Sequence, residues 1–266
     1  MARTMTRLNP PARVIANIDS APQRMLRMDE ILGANRLLRF AEAVSNLLVH
    51  IEPSAGGLAR LASINGTGAI VCVFVMNAAT EFESAWNMLR LANVPGTLRQ
   101  SRVGSELVAA ATLLALPGVY LGHLSADNPV AKARTKFPEA TLADLMKPTL
   151  NDTARGAEYL PARLLATQVF RGFTMLLDDI DTVDQSEIEM LQRYRADVQH
   201  PASHGSRDLM AYHFEGFGKG VAQKAGAYID ASRHDTYQDT ADSLIHLIGV
   251  MDSIALRVAT HIRERC

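Results

Sequence analysis

The residues of this chain whose types and spacing could do chemistry together are Arg195 and His200. They stand with four residues between them, after Tyr194 and around Asp197, and Pro201 follows at once. An imidazole titrates near neutral pH and can move a proton to or from a ribose hydroxyl. A guanidinium can hold a phosphate through two parallel hydrogen bonds and offset the charge that develops there. Together the two suit metal-independent RNA cleavage. Geometry sets a condition, because five steps along an ideal helix turn the chain by about 140°. The pair converges only if the helix unwinds near His200, as Pro201 permits, or if a second protomer completes the site.

Arg102 and Glu106 form a second pair, four residues apart on a stretch that is strongly apolar from Leu107 onward. On a solvated flank such a pair contributes about 0.3–0.5 kcal/mol. Buried, it needs further partners, which Tyr194 or His200 could supply. Both readings stay open. A metal alternative lies in His200, His204 and Asp208, with His213 beyond, a donor set that favours zinc or iron. Pro201 and Gly205 interrupt the helical register those ligands need, and residues 203–206 read more simply as a polar turn. Asp178, Asp179, Asp181 and Asp184 read as a solvated acidic helix end, and Gly216, Gly218 and Gly220 as a close helix approach or kink. No cofactor is implied.

The segment around Arg195 and His200 resembles the HEPN superfamily, all-helical domains marked by an arginine, four to six residues, and a histidine near a helix end. It is also similar to bacterial helical families with an Arg-x3-Glu helix upstream (here Arg102 and Glu106) and a Tyr…His-Pro segment downstream (here Tyr194, His200 and Pro201). The resemblance implies a helical bundle, frequent homodimers and, in active members, ribonuclease activity in defence or toxin–antitoxin systems. It implies Arg195 and His200 as catalytic residues, with Arg102, Glu106, Tyr194 and Asp197 in support. Active members carry a polar residue directly after the arginine, whereas this chain has Ala196 there. The reading is therefore a non-catalytic interaction or regulatory module. A ribonuclease is the alternative and a metal-dependent helical enzyme a further one.

The elements that must position these residues follow from apolar periodicity. Residues 21–51 carry apolar side chains at helical spacing, ended by the Pro53–Gly57 cluster. Residues 64–68 form a turn, a helix spans about 69–92, and Pro95-Gly96 closes it. Another helix covers 98–116. The middle, 117–161, holds five prolines and so only short helices joined by turns. A buried helix resumes at 164–177. Ser186 and Glu189 form a capping box for a helix running to about His200, and two more helices cover about 207–232 and 238–264. No period-2 alternation of the kind a sheet requires is present. The expected fold is all-α, a helical bundle with a proline-rich irregular middle segment. Residues 1–20 form a flexible basic arm and 21–266 a single domain.

Composition bounds the partners. The net charge of −1 excludes a basic surface over the whole protein, although Arg3, Arg7, Arg13, Arg24 and Arg27 face only Asp19 in the first 27 residues. RNA or a protein is the candidate partner. The two cysteines, Cys72 and Cys266, cannot build a disulfide framework, so a reducing, cytoplasmic setting is expected. No apolar h-region follows the basic start. The apolar runs 69–79 and 107–124 fall short of a bilayer span or are broken by Pro117-Gly118, so both read as buried core helices and no membrane is expected.

Overall fold

The computed structural model describes residues 21–52, 54, 56–64, 66–138, 142, 145, 164, 166–199 and 234–265, the side chains of 166 and 197–199 excepted. Among them there is no strand, and the chain is all-α. His200, His204, Asp208, His213, the glycines at 216–220 and the basic arm lie outside the described residues.

The first apolar stretch is two helices, α1 (Ala21–Leu32) and α2 (Ala34–Val49), rather than one. Gly33 separates them with a φ of 77°, a left-handed conformation that glycine adopts at little cost, and its N–H returns to Asp29 O at 2.9 Å. Helix α3 (Leu58–Ser63) is short, and a turn through Gly66, at φ 71°, leads into α4 (Gly68–Arg90). Pro95 does not close α4. It sits in the first turn of α5 (Val94–Ala115), where its missing N–H leaves no bond unmade, and Asn93 caps that turn by accepting from Gly96 N at 3.0 Å. Extended backbone at Leu116 and Pro117 ends α5. The described part of the middle holds two short helices, α6 (Gly118–Leu121) and α7 (Pro129–Lys136). Helix α8 (Ala166–Leu177) leads to α9 (Gln185–Arg193) through exposed Asp178, Asp179 and Asp181. The capping box at α9 is Asp184 with Glu187, two residues before the expected Ser186 with Glu189. A π-helical turn, Tyr194–Gln199, continues α9, and α10 (His234–Arg265) is the last and longest of the described helices.

Helix α5 is central. From Val108 to Pro117 every residue is buried. It pairs along its length with α4 and also packs on α10, α8 and the π turn, while α10 lies across α2. The α4–α5 crossing is close because Gly104 faces the ring of the fully buried Phe82, where an added Cβ would lie 2.8 Å from the ring. Partly exposed ion pairs pin the outer helices: Arg90 to Asp29 between α4 and α1, Arg36 and Arg39 to Asp242 between α2 and α10, and Arg257 to Glu187 between α10 and α9. Pairs of this kind fix register more than they stabilise. Below the surface, His50 Nε2 meets Asp252 Oδ1 at 2.9 Å.

The run 69–79 is not simply core. It opens a helix of 23 residues, α4, whose outer side leaves Val73 53% and Met76 52% exposed. By length and composition alone, α4 and α10 are each long and apolar enough to cross a membrane. Within the protein, 33% of the apolar window of α4 and 56% of that of α10 are buried. The expected helix over about 69–92 is present, and the expectation of a buried core helix holds for its inner side only.

Candidate functional site

Three elements bring the described candidate residues together. Helix α5 supplies Ser101, Arg102 and, one turn after Arg102, Glu106; the π turn supplies Tyr194 and Arg195, and α8 supplies Phe170. The π turn bonds i to i+5, a register that shifts side chains relative to an α-helix and recurs at functional sites.

Glu106 Oε1 accepts from Arg102 Nε at 2.9 Å and from Arg195 Nη2 at 2.5 Å. The three side chains are 12%, 13% and 14% exposed, for Arg102, Glu106 and Arg195. Arg102 and Glu106 are thus a largely covered pair rather than a solvated flank; among the described residues the partner that joins them is Arg195 and not Tyr194, while His200 lies outside those residues. The Arg195 guanidinium also lies 4.3 Å from the centre of the Phe170 ring, a cation–π contact in a desolvated place. Its Nη1 is buried and makes no hydrogen bond among the described residues. Burial pulls the Arg195 pKa down; Glu106 opposes that through charge and hydrogen bond, and Arg102 adds to it.

Tyr194 packs against the core, with its hydroxyl buried beside Ser101, which gives its own proton to Leu98 O. Burial pushes the phenol up to about 12, with Ser101 pulling slightly the other way. The sign of the linkage follows. A neutral phenol is favoured in the folded state, so this contribution to stability is intact below pH 10 and is lost as pH rises from there to about 12. In a phenolate absorbance titration, the component removed by Tyr194→Phe should have its midpoint near 12, about two units above a solvated phenol. A midpoint near 10 would place the hydroxyl in water.

A cleft of about 390 Å³ opens beside the cluster, lined by Thr167, Phe170, Arg171, Gln192, Arg195 and Ala196. It is large enough for a small ligand. Among the described residues no group of three His, Cys, Asp or Glu side chains could hold a metal ion. The metal candidates His200, His204 and Asp208 lie outside the described residues. Asp197 belongs to the π turn, though its side chain also lies outside them. Phe170 and Arg171 were not singled out in the sequence. They look like any residues of an amphipathic helix, and only the fold places one under Arg195 and the other at the cleft rim. Comparisons with protein-family models, with curated proteins and with solved structures find no match for this chain.

Proposed function

We propose that this protein is a non-catalytic helical interaction module in which Arg195 is a structural residue. One observation carries the reading: the Arg195 guanidinium is spent on Glu106 and Phe170 inside the protein rather than held out toward solvent. A phosphate-binding arginine in a nuclease works with its bidentate edge open to the substrate. Here one terminal nitrogen is taken by a carboxylate and the other is buried. Ala196 is exposed directly after it, so the turn presents no polar neighbour at that position.

The test is cleavage of single-stranded RNA at neutral pH in EDTA, by wild type, His200→Ala and Arg195→Ala. The expected result is no cleavage above buffer in any of the three. Cleavage by wild type that both substitutions abolish would overturn the proposal in favour of a HEPN-type ribonuclease. Cleavage restored only by added zinc or iron would favour the metal-dependent enzyme.

A further inference from the structure

Between α7 and α8 lies a groove of about 510 Å³. Its walls are fixed before anything binds. Buried Asn128 gives a side-chain N–H to Gly172 O at 2.9 Å, and it caps α7 by accepting from Val130 N at 2.9 Å. The two helices touch where Gly172 meets Val130, and an added Cβ there would lie 2.8 Å from the valine side chain. Along the groove α7 presents Lys132 and Lys136, four residues apart on one face, and α8 presents Arg171. All three are exposed. Asp127 is the one described acid in the lining, and it is bound to Lys132 at 3.0 Å. Lys136 and Arg171 are in no ion pair among the described residues. The Lys136 ammonium lies 5.4 Å from the centre of the Phe137 ring, and Phe137 and Leu164 add half-buried apolar surface to the lining.

We propose that this groove binds an acidic segment of a partner protein, whose carboxylates meet Lys136 and Arg171. The inference rests on the reading of the protein as an interaction module, and it gives that module a surface and a partner chemistry. The local sequence does not offset these cations. Residues 128–138 and 167–177 carry Lys132, Arg134, Lys136 and Arg171 and no acid, in a chain whose net charge is −1. Lysines four apart on a helix repel each other, and an anion in the groove relieves that repulsion. An arginine takes a carboxylate through two parallel hydrogen bonds, and a lysine held over a ring offers its charge from a defined place. Because the walls need not move, little is lost to ordering the site on binding. A protein segment fits better than a nucleic acid. Asp178 and Asp179 are exposed just past the end of α8, roughly 10 Å along the helix from Arg171, which is about one Debye length at moderate salt. A long polyanion tracking along α8 meets them. A short segment with a few acids around an apolar residue stays within the groove.

The experiment is selection of short random peptides displayed on phage against the full chain, then fluorescence anisotropy of a labelled selected peptide, with circular dichroism on every variant. The selected sequences should be rich in Asp and Glu around an apolar residue. Lys136→Glu with Arg171→Glu, at two exposed positions, should weaken binding of that peptide at least about 100-fold while keeping the helical signal. The same peptide with Lys in place of its acids should bind this variant and not the wild type. Should the variant not fold, Lys136→Gln with Arg171→Gln keeps the side-chain length and should weaken binding about 10-fold. Selection that enriches no acidic sequence overturns the proposal. So does an acidic peptide that the folded variant binds as the wild type does. A short oligouridylate that displaces the peptide from the wild type and fails to bind the charge-reversed variant assigns the groove to nucleic acid instead. Cleavage of that oligouridylate overturns the interaction-module reading, whereas a wild type that neither cleaves it nor selects acidic peptides sinks this inference alone.

Discussion

Glu106→Ala should cost this protein about 3–5 kcal/mol of stability, a fall on the order of 10 °C in Tm. The carboxylate is the single described anion between Arg102 and Arg195, and both guanidiniums are nearly out of solvent. Without it two buried cations face each other with nothing to offset their desolvation. Arg195→Ala should cost less, about 1–3 kcal/mol, because Glu106 keeps its bond to Arg102 and only the Phe170 contact and one charged hydrogen bond are lost. The decisive comparison is the triple variant Arg102→Leu, Glu106→Leu, Arg195→Met. Removing the whole cluster should recover most of what Glu106→Ala loses, since an apolar set of similar volume leaves no charge uncompensated. Thermal denaturation of the three variants checks this order. If Glu106→Ala melts with the wild type, the cluster is solvated in solution and the structural role given to Arg195 fails with it.

Phe82→Ala should be comparably damaging, at about 3–5 kcal/mol, because a fully buried ring is removed from the crossing of α4 and α5. Its interest lies in the coupling to Gly104. In the wild type, Gly104→Ala drives a methyl group to within 2.8 Å of the Phe82 ring, and the ring, being fully buried, has nowhere to go. The clash should cost about 1–3 kcal/mol and outweigh the roughly 1 kcal/mol by which alanine favours a helix over glycine. In the Phe82→Ala background the clash is gone, the methyl enters the space left behind, and the same substitution should become stabilising. Urea unfolding of the four proteins in the cycle measures this. Equal effects of Gly104→Ala in both backgrounds would show that the α4–α5 crossing is looser than described.

The all-α class was legible because the apolar residues recur at helical spacing along most of the chain and nothing alternates with period two. Boundaries were less so, for local reasons. At Gly33 the apolar pattern continues in register across the break, so periodicity alone joins α1 to α2. At Pro95 the same residue that stops one helix is well suited to start the next, and Asn93 just before it was the sign that α5 begins there. At α9 two capping boxes overlap, Asp184 with Glu187 and Ser186 with Glu189, and geometry selects the earlier.

The candidate site was legible in its parts and not in its arrangement. Arg102 and Glu106 are four apart and their pairing is local. Arg195 joins them from 89 positions away, and no spacing rule connects residues so distant. Phe170, which lies beneath Arg195, is also remote in sequence from α5. The exposed face of α4 was hidden for a different reason. Hydropathy measures what a residue is, and only the fold decides which side of a helix is covered.

One feature of the core also makes the protein its own indicator. Trp86 is the sole tryptophan of the chain, it is 4% exposed, and it lies almost flat on Phe40, its indole nitrogen making no hydrogen bond among the described residues. With excitation at the red edge, where tyrosine scarcely absorbs, ultraviolet emission therefore comes from one indole in one apolar setting, at the seam where α2 meets α4. Its colour follows the parting of those two helices and shifts to the red when water reaches the seam, with no label attached.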